Sequence, residues 1–203
     1  MNYIGQLRIY SLVDLCILLV AFQSTRSEFV GVFALHIGFL AYLENRHGHE
    51  GRHPVPVWIC PVFCVFGLLL VWKVEVALFF LFSYLYAKKN KKSYAMLSPF
   101  CRGLQMFFLS AAILGYRNRF SLIVFLVFLF RNAVGDWRDV EKDRRQGMRT
   151  LPIVFGAQKD MKHLHLAMML VSSTIWWSHA DISVGCLFVV CVIELTTYRL
   201  TPR

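Results

Sequence analysis

The chain is short of charge. Only 17% of its 203 residues are Asp, Glu, Lys or Arg, against about 25% in ordinary soluble domains. Hydrophobic residues make up 57%, and the mean hydropathy is +0.53. The apolar runs also lack polar outer faces, which excludes a soluble helical bundle. There is no linker rich in proline, glycine or serine and no low-complexity tract, so the chain reads as one domain, residues 1–203. The six cysteines include no C-x-x-C pair, which argues against zinc, and Cys16, Cys60, Cys64, Cys186 and Cys191 sit inside apolar runs, which argues against a disulfide framework. Residues 1–23 carry only Arg8 in the leading region and no good small-residue cleavage pattern, so they read as a retained span and not a signal peptide.

Eight apolar runs fill the chain: Ile9–Phe22, Phe29–Leu43, Val55–Trp72, Val74–Ala87, Leu104–Tyr116, Phe120–Val134, Leu164–Trp177 and Ile182–Leu195. Each falls short of the ~20 residues that span a hydrocarbon core squarely. Together, with polar flanks extending them, they predict an all-α, polytopic transmembrane bundle of about eight spans. Trp58, Trp72, Trp137, Trp176 and Trp177 lie near run ends, as interfacial aromatics do.

Acidic residues are few, 12 against 22 Lys and Arg, for a net charge of +10. With eight spans, all the basic residues except Arg26, Lys73, Arg117 and Arg119 fall on the side of the two termini. By the positive-inside rule that side is cytoplasmic. The charge is thus mainly a topology signal. No soluble basic surface is separable for nucleic acid. Polar loops after spans two, four and six share that side, which suits a central cavity open to the cytoplasm.

Three of the scarce acids cluster. Asp136, Asp139 and Asp143 follow the sixth run, in Arg131–Gly156. At 100° per residue their carboxylates fall within about 60° on a helix, along roughly 10 Å, with Asn132 extending the stripe. Like charges so close call for a compensating cation. All-oxygen donors favour a hard ion such as Mg²⁺, which shares its shell with water and substrate phosphate.

The pattern Asp136-x-x-Asp139-x-x-x-Asp143, then Gly147, Arg149-Thr150-Leu151-Pro152 and Gly156, resembles the second aspartate-rich motif of the UbiA superfamily of intramembrane prenyltransferases. Arg131 and Asn132 stand where that family often carries a polar pair. Tyr84-Leu85-Tyr86-Ala87-Lys88 and the following Lys89, Lys91 and Lys92 resemble its tyrosine- and lysine-bearing loop after the fourth helix. The resemblance implies a bundle around a lipid-accessible cavity. It implies Mg²⁺ on Asp136, Asp139 and Asp143 as the catalytic carboxylates, bridging to the diphosphate of an isoprenoid donor. Arg131, Lys142, Arg144, Arg149 and Lys88 are the basic candidates for that diphosphate. The implied activity moves the prenyl chain to a lipophilic or aromatic acceptor, and the implied partners also include membrane lipids. A membrane terpene cyclase, a polyprenyl-phosphate glycosyltransferase and a non-catalytic scaffold are the alternatives.

The chain departs from the family's first motif. Its stretch Ala41–Pro54 holds no aspartate. In one register Glu44 and His47 take the places of the first two aspartates, with Asn45 beside them; in another Glu50 is the candidate. His36, His47, His49 and His53 fit a changed metal preference, whereas the imidazoles with Arg52 fit direct phosphate contact. A solvated loop is the plain alternative. The chain also stops after eight apparent spans where the family commonly has nine. Asp14 reads as a cavity residue or as Arg8's partner, and Glu194 as interfacial.

Overall fold

The structure, a computed structural model, describes residues 8–47, 53–90 and 94–201, and of His47 and Asn90 the backbone only. Glu50, Arg52, His49, Lys91 and Lys92 lie outside the described residues. The described chain is all-helical. Its long helices are α1 (Ile9–Ala21), α2 (Arg26–His47), α3 (Ile59–Leu70), α4 (Val74–Ala87), α5 (Ser98–Leu114) and α6 (Arg119–Arg138). Two short helices, α7 (Val140–Arg145) and α8 (Leu151–Val154), precede the long α9 (Lys162–Ala180) and α10 (Val184–Leu200). Each apolar run therefore has its own long helix.

Three stretches are long and apolar enough to cross a membrane: Arg26–Arg46, Ala95–Leu114 and Arg119–Arg138. Ile9–Ala21, Ile59–Leu70 and Val74–Ala87 are shorter apolar helices. The third run starts later than its hydropathy, at Ile59, because Pro54 and Pro56 hold the preceding residues extended. Helix starts follow local chemistry: Asn118 Oδ1 accepts from Phe120 N–H at 2.8 Å ahead of α6, and Ser183 Oγ accepts from Cys186 N–H ahead of α10.

The residues group into two compact units, one formed by the chain up to Trp72 with the chain from Met169 on, the other by Lys73–Met168. In the first, α2 and α3 pack through small residues. A Cβ on Gly67 would sit 2.7 Å from the Gly31 carbonyl oxygen, and one on Gly38 would sit 2.7 Å from Cys64 Sγ. Close approach of this kind is how apolar helices gain dispersion contacts where the hydrophobic effect is weak. Cys64 thus serves packing.

The first unit's core is unusually polar. Along one face of α1, Arg8 Nη2 donates to Glu44 Oε1 at 3.0 Å, Ser11 Oγ meets His36 Nε2 at 2.9 Å, and Asp14 Oδ1 accepts from Trp176 Nε1 at 2.5 Å. Glu44 is thus a partner of Arg8. Trp176 is fully buried, unlike Trp58 and Trp72, which are 62% and 78% exposed at the ends of α3. Glu194 is fully buried and accepts from Ser173 Oγ at 3.2 Å, in α10, which runs on to Leu200.

Candidate active site

The second unit holds the aspartates. α5 and α6 pack closely: a Cβ on Gly103 would meet the Phe125 carbonyl oxygen at 2.9 Å. Asn132 Nδ2 donates to Ser98 Oγ at 2.9 Å, tying the start of α5 to the end of α6. Asn132 thus braces two helices.

The acidic stripe is not one unbroken helix. α6 ends at Arg138, and Asp139 (φ −94°, ψ 7°) is the joint to α7. The hydrogen-bond ladder nevertheless keeps its period across the joint. Asp139 N–H reaches the Gly135 carbonyl at 3.1 Å, and Asp143 N–H reaches the Asp139 carbonyl at 2.8 Å. The three side chains still separate in role. Asp136 and Asp143 converge on one ammonium: Lys89 Nζ lies 2.5 Å from Asp136 Oδ1 and 3.4 Å from Asp143 Oδ2. Asp139 is gripped by its neighbour Arg138, whose Nε and Nη2 donate to its two oxygens at 2.9 and 3.2 Å. That fork is the strong geometry for a guanidinium and a carboxylate.

Burial and charge oppose each other here. Burial pushes the Asp143 carboxyl up, and Lys89 only partly offsets this, so it stands above the usual carboxylate range. Burial also pushes on Asp139, but the Arg138 fork, with Lys89 and Lys142 behind it, holds Asp139 below that range. Burial disfavours the charged Lys89, yet Asp136 and Asp143 outweigh it and keep the ammonium protonated well above its ordinary range.

Hydrogen-bonding capacity is left over at this place. Asp136 Oδ2, Trp137 Nε1 and Thr150 Oγ1 are buried with no hydrogen bond, and Asp143 Oδ2 receives none beyond its ion pair. Buried polar atoms are normally satisfied, and Asp136 Oδ2 and Asp143 Oδ2, on the two carboxylates that converge on Lys89, can take a ligand that supplies the partners. Among the described residues no group of three His, Cys, Asp or Glu side chains is drawn together as a metal cage. Mg²⁺ does not need one: it commonly takes one or two carboxylates, waters and substrate phosphates. Asp136 and Asp143 fit that demand, with Asp139 adjacent.

The other sequence candidates divide. Arg131 is 7% exposed, its guanidinium carbon 5.9 Å from the Phe128 ring centre. Lys142 acts on Asp139 electrostatically. Arg144, exposed, donates to the Ala157 carbonyl at 2.5 Å, which pins the segment after α8. Arg149 is exposed. Tyr84 and Lys88 engage one another, with Nζ 4.2 Å above the ring; the lysine at the aspartates is its neighbour Lys89. Of the first-loop candidates, Glu44 is buried against Arg8 and Asn45 is exposed; the side chain of His47, and Glu50 and Arg52 entirely, fall outside the described residues.

One buried network was missed in the sequence. Arg102 Nη1 donates to Gln105 Oε1, Gln105 Nε2 donates to Ser83 Oγ at 2.6 Å, and Ser83 Oγ donates to the Phe79 carbonyl at 2.7 Å. A signal was there: Ser98, Arg102 and Gln105 stand at i, i+4 and i+7, a polar stripe on an apolar helix.

An all-helical protein with membrane-length apolar helices and a buried cluster of carboxylates and cations is the class these features define. Residues 96–198, half of the chain, match the VviA prenyltransferase family, and the chain belongs to that family. It is a prenyltransferase enzyme. The matched region contains Arg102, Arg131 and all three aspartates. No curated protein and no solved structure matches the chain.

Proposed function

We propose that the chain is an integral-membrane prenyltransferase of UbiA type that ionises a prenyl diphosphate with Mg²⁺ and passes the isoprenoid chain to a lipophilic or aromatic acceptor. The observation that carries the reading is the convergence of buried Asp136 and Asp143 on Lys89, with acceptor oxygens to spare. Asp136 and Asp143, with Asp139 beside them, would hold the ion. Bound Mg²⁺ supplies charge neutralisation for the departing diphosphate. Lys89, already protonated between the two carboxylates, donates to phosphate oxygens. Arg138 holds Asp139 ionised, so that the cluster keeps its negative charge near neutral pH. Phe128 and Tyr86 offer π faces that favour the allylic cation over solvent capture. All eight long helices are spans around a cavity open to the cytoplasm, with both termini on that side, and residues 1–203 act as a single domain. The first-loop candidates Asn45, His47, Glu50 and Arg52 would contact phosphate, while Glu44 is taken up by its ion pair with Arg8.

The test is Mg²⁺-dependent release of diphosphate from geranyl and longer prenyl diphosphates by the purified protein. Release is expected in the parent and lost in Asp139→Ala. An undiminished rate in that variant would sink the mechanism. A cyclised product formed without any acceptor would replace transfer by cyclisation.

A further inference from the structure

Arg102 is a buried cation in the second unit. It lies one turn inside α5, at 9% exposure, in a stretch apolar enough to span a membrane. A guanidinium there is costly and is characteristically tied to function. The network behind it has a fixed direction. The Ser83 hydroxyl spends its proton on the Phe79 carbonyl, so it must accept from the Gln105 amide nitrogen. That sets the Gln105 oxygen toward Arg102. Gln105 is fully buried and Ser83 5% exposed, so neither can swing to water. The result is a guanidinium oriented, on its Gln105 side, by a relay rooted in the α4 backbone.

Its surroundings point the same way. The Arg102 guanidinium carbon is 5.5 Å from the Phe128 ring centre, and that of Arg131 is 5.9 Å from the same ring. Arg102 also lies 6.0 Å from the Tyr86 ring, and Lys89 follows Tyr86 by three residues, in the turn after α4. Tyr86, Arg102, Phe128 and Arg131 thus alternate π faces with cations, close in the chain to the lysine that meets the aspartates. An allylic diphosphate has that polarity: an anionic head that gathers cations, next to a carbon that becomes cationic on ionisation.

We propose that Arg102, oriented by Gln105 and Ser83, binds the diphosphate of the prenyl donor alongside Lys89. This rests on the donor-site reading above. Inorganic pyrophosphate is the probe, titrated with Mg²⁺ into the full chain in detergent, with thermal melting followed in parallel. Arg102→Gln should weaken binding about tenfold or more, the usual worth of a charge-assisted hydrogen bond. Arg102→Lys should restore most of the affinity. Gln105→Glu keeps the side chain's size but sets a carboxylate against the guanidinium and removes the amide that donates to Ser83, so pyrophosphate binding by the folded protein should weaken and the melt should fall. Parent-like affinity in both Arg102→Gln and Gln105→Glu would overturn the proposal. So would equal losses in Arg102→Lys and Arg102→Gln accompanied by lowered melting, since that marks a packing role. A parent that neither binds pyrophosphate nor releases diphosphate overturns the donor site itself. A parent that does both while the variants match it overturns only the part given to Arg102.

Discussion

The stretch ending α2 and the stretch following α6 both place carboxylates at the end of a long apolar helix, and the two treat them oppositely. Glu44 is consumed: Arg8 closes on it at 3.0 Å and the pair is an internal ion pair of the first unit. The same unit gives one oxygen of Asp14 the Trp176 indole and one oxygen of Glu194 the Ser173 hydroxyl. After α6 the carboxylates are concentrated beyond what their neighbours satisfy. Two share one ammonium, and Asp136 Oδ2 has no donor. A carboxylate matched to one partner stabilises a fold; an under-satisfied cluster stores repulsion that a ligand can relieve.

The largest effect should separate activity from stability at Asp136. Asp136→Asn keeps the shape and removes one charge from the cluster. Diphosphate release should fall on the order of 10²–10³-fold, as when one group that stabilises developing charge is lost. The metal-free melting temperature should hold or rise, because repulsion has been reduced. A fall in both would make Asp136 a structural residue like Glu44.

Trp176→Phe probes the other side of the contrast. It removes the indole N–H from Asp14 and leaves a buried carboxylate short of a donor, costing about 1–3 kcal/mol. Melting in detergent should drop, while turnover per folded molecule stays near the parent value. A selective loss of turnover would move Asp14 from scaffold to chemistry. Glu44→Gln is the milder version. Arg8 is partly exposed, so solvent screens the lost charge, and the expected cost is about 1 kcal/mol with little change in diphosphate release.

Much of this contrast was legible in sequence and its decisive part was not. The eight apolar runs predicted the eight long helices because hydropathy over a dozen residues averages out local detail. The aspartate spacing predicted that the side chains share a ridge, since the helical period survives even the joint at Asp139. Sequence could not say which cation would meet them. Lys88 and Lys89 are neighbours in a basic run, and only the turn after α4 (Lys88–Asn90) sends Lys88 to Tyr84 and Lys89 to Asp136, 47 residues away. The burial of Glu194 was not legible because apolar residues stop marking the helix before the helix stops. Gln105 was missed although it shares a polar stripe with Ser98 and Arg102, because that stripe does not name its partner, Ser83 on α4.

Acid titration should sharpen the comparison within the cluster, and here the signs differ between neighbours. Asp139 is held below the ordinary carboxylate range by Arg138 despite its burial. Its folded pKa is therefore lower than its unfolded value of about 3.9. It contributes stability above that pH and loses it as pH falls through the depressed folded value. Asp143 is raised by burial, so its charged form disfavours the fold at neutral pH. That penalty is relieved as pH falls through the raised value toward about 3.9. In metal-free buffer, Asp143→Asn should melt higher than the parent near neutral pH, with the gap closing on acidification. Asp139→Asn should melt lower, its gap closing only at more acidic pH. The two difference curves should thus have opposite sign, and curves of the same sign would mean that Arg138 does not discriminate between the two carboxylates.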